Sequence, residues 1–296
     1  MNSTIRNFIA SECPCCLGKD FAKSPSILSP FLANRVFGWE PIEIDESWGL
    51  RDINSGTAYP LCSSIQCLEC GFLFLDMRIS DNELSRYYED YQSEEFFKHR
   101  EQFEPSFIER RKNFIPGMGD IADVFKYMNV IEEFISANIS SVESVLDFGG
   151  KDGLNTPLSN QAKAHHILDF NAHTPVIGES ISMNAAIDHK YDLVVLRHVL
   201  EHCPYPIDIL NQIKPLLNKD GFLYIELPFE EIMKANLENK QIHQNKKLWH
   251  EHINFFSKKS IELLLGEAKL NIVDSNVFNI PDSSRVHLMY LVNFSS

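Results

Sequence analysis

No apolar run in this chain approaches the roughly 20 residues that a membrane-crossing helix needs, so no membrane span is expected. The start, MNSTIRNFIASEC, lacks the apolar core of a secretory signal, and the expected location is cytoplasmic. Positive charge is also scarce: 27 Lys and Arg face 41 Asp and Glu, for a net charge of −14. Such a surface repels phosphate backbones and excludes nucleic acid as the expected partner. The densest basic run is only Arg110-Arg111-Lys112, and Asp81, Glu83, Glu89, Asp90, Glu94 and Glu95 form an acidic stretch. Internal repeats and low-complexity tracts are missing as well. What remains is a folded chain of 296 residues, long enough for one large domain or two.

Cysteine is present in an odd number, seven, and four fall into two CxxC pairs, Cys13 with Cys16 and Cys67 with Cys70. In a reducing compartment such pairs hold a metal more often than they form disulfides. Two thiolate pairs make a tetrahedral structural zinc site, with Gly18 and Gly71 suited to the knuckle turns. Cys15 and Cys62 stand close enough in sequence to compete as ligands, and Cys203 reads as a packed thiol.

Three regions follow. Residues 1–80 read as a zinc-ribbon module whose insert, from Ser24 to Pro60, is expected to be loop and short strands. Residues 81–143 read as a helical connector, opened by the capping box Ser80-Asp81-Asn82-Glu83 and broken by Pro105 and Pro116-Gly117. Residues 144–296 alternate strand and helix patterns, which predicts an α/β, Rossmann-like, mostly parallel sheet. Candidate strands are SVLDF, HHILD, YDLVVL, GFLYIEL, NIVDSNVF and VHLMYLVNF, and the final strand is expected to run antiparallel. The first ends in VLDFGGKDG, where Gly149, Gly150 and Gly153 permit a tight turn and a close approach to a ligand. Asp169, ending the next strand, is placed to meet ribose hydroxyls. The interval from Asp169 to Tyr191 is short, so the third strand and its helix must be abbreviated.

The order of two CxxC pairs, GFLFLDMRISDNELSRYYEDY, VLDFGGKDG, HVLEH and WHEHINFFS resembles the class I S-adenosylmethionine-dependent methyltransferases, in particular the sugar C-methyltransferase subgroup. Asp147, Gly149 and Gly153 match the first-strand motif of that family, while Lys151 replaces its middle glycine. The resemblance implies S-adenosylmethionine as cofactor alongside structural zinc. It places Gly149, Gly150 and Gly153 beneath the methionine and ribose, Asp169 on the ribose hydroxyls, and Arg197 and His198 at the edge of the crevice.

Methyl transfer needs an aligned nucleophile and, for a hydroxyl or a carbon beside a carbonyl, a group to take a proton. Histidine and glutamate concentrate at His198, Glu201 and His202, and again at His250, Glu251 and His252. If the second segment is extended, His250 and His252 share one side and Glu251 lies opposite. The resemblance assigns acid–base roles to Glu251 and His252, turns His202 toward the substrate, brings Tyr88 and Tyr91 over the site, and has a tyrosine where Trp249 stands. HVLEH also fits the H-x-x-E-H zinc-peptidase pattern, but the strand before His198 and Pro204 and Pro206 after it argue against the helix this would need. Beyond Glu226 and Glu230, a polar segment carries Lys246 and Lys247, read as a solvated charge pair. The expected function is methylation of a small polar acceptor, such as a nucleotide-linked sugar, by a monomer or homodimer. The alternative is a catalytically silent nucleoside-binding protein that uses the ribbon to recruit a partner.

Overall fold

The computed structural model describes residues 8–49, 54–91, 93–109, 121–169, 174–234, 241–281 and 284–294. The basic run at 110–112 and the Pro116-Gly117 break lie outside them. Strand β1 (Phe21–Leu28) leads into helix α1 (Pro30–Phe37), a hairpin of β2 (Ile42–Ile44) and β3 (Gly56–Ala58), and strands β4 (Leu61–Cys67) and β5 (Leu73–Leu75). The insert is therefore more ordered than loop and short strands. Pro25 obscures β1 in the sequence, yet it is tolerated because β1 pairs with β4 along its length but with its other neighbour only at Ile27 and Leu28. Helix α1 is short but well delimited. Pro30 opens its first turn and Gly38, at φ +67°, closes it.

Helix α2 (Asp81–Tyr88) starts at the expected capping box, with Ser80 and Glu83 bonding each other's backbone N–H. Helices α3 (Glu94–Phe103) and α4 (Ile121–Ser136) follow. Next come β6 (Ser144–Phe148), β7 (Ala164–Leu168), β8 (Glu179–Ser180), α5 (Met183–Asp188), β9 (Tyr191–Arg197), α6 (Pro206–Ile213) and β10 (Leu217–Pro228). The chain continues through α7 (Glu231–Lys234), α8 (Ile242–Asn245), β11 (Leu248–Trp249), β12 (Asn254–Phe255), α9 (Lys258–Glu267), β13 (Leu270–Asn279) and β14 (Val286–Phe294).

The large sheet has seven strands in the order β13-β14-β10-β9-β6-β7-β8, parallel from β10 through β8, with β14 antiparallel to both neighbours. This is the Rossmann-like α/β arrangement expected, with an antiparallel final strand. The third-strand region is abbreviated to the two residues of β8. No helix joins β6 to β7; residues 149–163 are successive turns. Both sheet faces are buried, as apolar strand runs require. Val145, Leu193, Val195 and Leu291 pack with Ile131 and Ile135 of α4, while Leu146, Val194, Leu196 and Ile225 pack with Leu210 of α6 and Leu264 of α9.

A second sheet, β11-β1-β4-β5-β12, has five strands and borrows β11 and β12 from the two ends of the WHEHINF segment. Its core, with Phe72, Phe74 and Trp249, is continuous with the second face of the large sheet. This borrowing positions the candidate site: residues 250–253 are strung between two strands of the front sheet and packed against the loop that follows β9.

Candidate active site

The four expected zinc ligands converge. Cys13 Sγ lies 3.6 Å from Cys70 Sγ, and Cys16 Sγ lies 3.6 Å from Cys67 Sγ. The four ligand atoms fall within 4.8 Å of one another. The two knuckles repeat one backbone pattern: Cys13 N–H donates to the Gly18 carbonyl, and Cys67 N–H to that of Phe72. Leu17 and Gly71 occupy the same left-handed place in each, at φ +58° and +75°. Leu17 thus makes the first turn that had been assigned to Gly18. Gly18 is small for another reason, since a Cβ there would meet the Glu69 carboxylate. Four thiols at this spacing suit a tetrahedral zinc ion. Cys62 bonds Ser26 and Cys203 bonds the Val199 carbonyl, so each is occupied elsewhere. Cys15 is buried beside Cys13, towards whose sulfur its N–H points.

At the carboxyl ends of β6, β7 and β9 the glycine turn is held by its own side chains. The buried Asp147 accepts a 2.6 Å bond from the Thr156 hydroxyl, and Asp169 accepts the N–H of Lys151, which sits at φ +50°. Burial pushes the Asp147 carboxyl up to about 6 against the Thr156 bond. A Cβ at Gly149 would meet the Val199 methyl, at Gly150 the Asp147 carboxylate, and at Gly153 the Ile177 carbonyl. The missing side chains thus admit close packing of the turn on its surroundings. The mouth offers Asp152 and Asp169 beside the apolar Leu154, Val176 and Ile177, which are exposed. Carboxylates for hydroxyl groups, an apolar surface for a base and an excess of negative charge fit a nucleoside that carries a cation.

Arg197 turns inward from this mouth. Its Nε donates to Glu226 Oε2 at 2.7 Å, and Nη1 donates to the Asn155 carbonyl. His198 stands at φ +53° between two buried carboxylates, with Nδ1 3.3 Å from Glu201 and Nε2 3.3 Å from Glu226. Residues 198–203 are bends and turns. No helix presents His198 and His202 on one face, as a zinc-peptidase would need.

The histidine clusters meet across the two sheets. The His202 and His252 rings are 4.8 Å apart at 82°, and Tyr88 meets His202 edge-on at 5.9 Å. Tyr91 packs on Tyr88 one ring farther back. His202 Nδ1 donates to the Glu251 carbonyl at 3.0 Å. His252 Nδ1 donates to Glu230 Oε1 at 2.7 Å, so the carboxylate partner of His252 is Glu230. The Glu251 side chain instead faces Arg100, 3.8 Å away, and His250 faces Glu104 at 3.6 Å. His250 and His252 therefore diverge, because the segment between β11 and β12 bends instead of alternating.

Environment separates the two facing imidazoles. Burial, reinforced by the neighbouring His252, pushes His202 down to about 4 and keeps it neutral. Burial acts on His252 too, but the Glu230 bond and the charge on Glu201 outweigh it and raise that ring. Glu251 is held below the usual carboxylate range: burial opposes this, and Arg100 prevails. Lys246 is no solvated pair. Its ammonium lies 4.2 Å from the Phe255 ring centre and 4.8 Å from that of Trp249, and burial pushes it down to about 8 against the pull of Glu230 and Glu251. Trp249 itself is buried and donates to Ser64. Arg100, Glu104 and His287, which carried no motif in the sequence, also border this network; His287 lies 2.6 Å from Glu226.

A mostly parallel seven-stranded sheet, with a glycine turn and carboxylates at its strand ends, defines the Rossmann-like α/β class of fold. Residues 122–275 match the methyltransferase-domain family, and the chain belongs to that family, with a class I fold. A C-methyltransferase of Streptomyces niveus, NovU, is 29% identical over 114 residues, which is 38% of this chain. The matched stretch is 25% of that protein's length. Among solved structures, the 1,6-didemethyltoxoflavin N1-methyltransferase of Burkholderia thailandensis, with bound 1,6-didemethyltoxoflavin and S-adenosylhomocysteine, is similar over 87% of this chain and 100% of that one. The TM-score is 0.50 at 14% identity, a likeness of fold.

Proposed function

We propose that the chain transfers a methyl group from S-adenosylmethionine to a carbon or oxygen of a small polar acceptor, a nucleotide-linked sugar being the favoured class. The observation that carries this reading is the His202–His252 pair, backed by Glu230 and Tyr88, beside the mouth at the strand ends. The cofactor, when bound, supplies an electrophilic methyl on a sulfonium and its own leaving group. Asp169 and the turn at Gly149, Gly150 and Gly153 hold the nucleoside, with Asp147 fixing the turn, Arg197 tying it to β9 from behind through the Asn155 carbonyl, and His198 at the edge. His252, oriented by Glu230, takes the proton from the acceptor hydroxyl or from the carbon beside a ketone. Neutral His202 faces it, and Glu251 is positioned by Arg100. Tyr88 walls the acceptor with Tyr91 packed behind it, and the four cysteines bind zinc that fixes the front sheet.

The test is mass spectrometry of nucleotide-linked keto- and hydroxy-sugars incubated with a methyl-labelled cofactor. Label is expected on one acceptor, and His252→Ala should slow transfer by about 10²–10⁴-fold. Calorimetry detecting no S-adenosylmethionine or S-adenosylhomocysteine binding at millimolar ligand would remove the proposal.

A further inference from the structure

We infer that Glu201, His202 and His252 form a binding site for one divalent transition-metal ion, separate from the four-thiolate site. Each offers a ligand atom, and the three atoms lie within 4.8 Å of one another. Glu201 is fully buried, and neither carboxylate oxygen has a hydrogen-bond donor in good geometry. Its nearest polar neighbours are His198 Nδ1 at 3.3 Å and His202 Nε2 at 4.0 Å. A buried carboxylate is costly unless a cation or donors compensate it.

The histidines are already oriented as metal ligands are. A ligating imidazole usually donates its second ring N–H to a carboxylate or backbone carbonyl, which fixes the tautomer and leaves the other lone pair for the ion. His202 does this through Nδ1 to the Glu251 carbonyl, and His252 through Nδ1 to Glu230. Both Nε2 atoms are thereby left as acceptors. The backbone around Glu201 is clamped, since the N–H groups of Ile253 and Asn254 both donate to its carbonyl. Two imidazoles and one carboxylate suit Zn²⁺, Fe²⁺ or Co²⁺ and leave positions open. Ligand atoms in a tetrahedral zinc site stand about 3.3 Å apart, so the side chains must close by roughly an ångström. The neighbouring His198, Glu226 and His287 group is closed to an ion by comparison. Arg197 already neutralises Glu226, which also accepts from Tyr224 and His287.

The site shares the crevice of the proposed function, and its consequence rests on that reading. One lone pair of His252 cannot bind an ion and accept a proton, so occupancy should suppress methyl transfer. Protein with its thiolate zinc in place would be titrated with Co²⁺. One additional Co²⁺ per chain is expected, with weak visible absorption and no sulfur charge-transfer band. Two exchangeable histidine ring N–H signals should shift paramagnetically. Glu201→Gln should abolish binding, and Glu230→Gln should weaken it about 10–100-fold. Retained thiolate zinc and S-adenosylmethionine affinity would report that the variants fold, and the proton signals need no variant at all. No additional Co²⁺ at about 100 micromolar free ion, or undiminished binding in Glu201→Gln, would overturn the inference and leave the methyltransferase reading intact. Binding without loss of transfer would keep the ion and remove His252 as the base.

Discussion

Glu104 is the residue on which the front helices and the histidine segment converge. It accepts from Arg100 at 2.8 Å and from the Ser29 hydroxyl, and it faces His250. Burial would raise its carboxyl, but His250 and Arg100 outweigh that and hold it at about 2, below the ordinary 4.5. A depressed carboxylate stabilises the fold above its unfolded value and loses that contribution as pH falls through the folded value. Glu104→Gln should therefore cost about 2–3 kcal/mol at neutral pH. Urea titrations at pH 7 and pH 3 should show the gap between variant and parent narrowing on acidification. A gap that stays constant would mean the charge contributes nothing. The thiolates make a comparable point. Chelation of the four-cysteine site should release one zinc per chain and lower the melting temperature, with Trp249 fluorescence reporting the loss because that ring is buried in the same sheet.

Among the elements, the turn after β6 leaves little room for a side chain at its glycines. Gly153 sits at φ +76°, and a Cβ there would come within 2.0 Å of the Ile177 carbonyl oxygen. Val176 and Ile177 both donate to the Asp152 carbonyl, so the two backbone segments are locked together. Gly153→Ala combines strain with displacement of that segment and should cost about 2 kcal/mol or more. It should also weaken cofactor affinity measured by calorimetry. Gly149→Ala meets only the tip of Val199 at 2.9 Å and should be milder in packing, though its φ of +83° still carries strain. Equal losses would indicate that backbone conformation dominates packing at this turn.

At the scale of the molecule, Arg78 couples the front sheet to the large one. It is buried, and its guanidinium donates to the carbonyls of Leu75 and Pro204 and to the Asn254 side chain. Asn254 in turn donates to the carbonyls of Leu200 and Cys203, so one network runs from β5 to the loop carrying His202. Arg78→Ala leaves several buried carbonyls without donors and should destabilise by about 3 kcal/mol or more. Loss of methyl transfer should exceed loss of cofactor binding, because the network holds the loop carrying His202, which is proposed to face the acceptor. Equal loss of both would assign Arg78 to general stability alone.

Features carried by short spacing were legible in the chain itself. Two CxxC pairs, the Ser80–Glu83 cap, the strand patterns from residue 144 onward and the glycine turn are local, and local sterics and hydrogen bonding fix them. The extent of β1 and the existence of α1 were not legible, since the insert from Ser24 carries no sustained period and only the fold puts Pro25 on an edge and Pro30 in a first turn. Nor was the partnering of distant groups. Glu230, 22 positions from His252, becomes its carboxylate, and Glu104 and Arg100 reach His250 and Glu251, only because β11 and β12 join the front sheet. Spacing determines which residue types occur and what each stretch of backbone can do. Strand pairing between segments remote in sequence decides which charges share a low-dielectric pocket, and with that the protonation of each histidine.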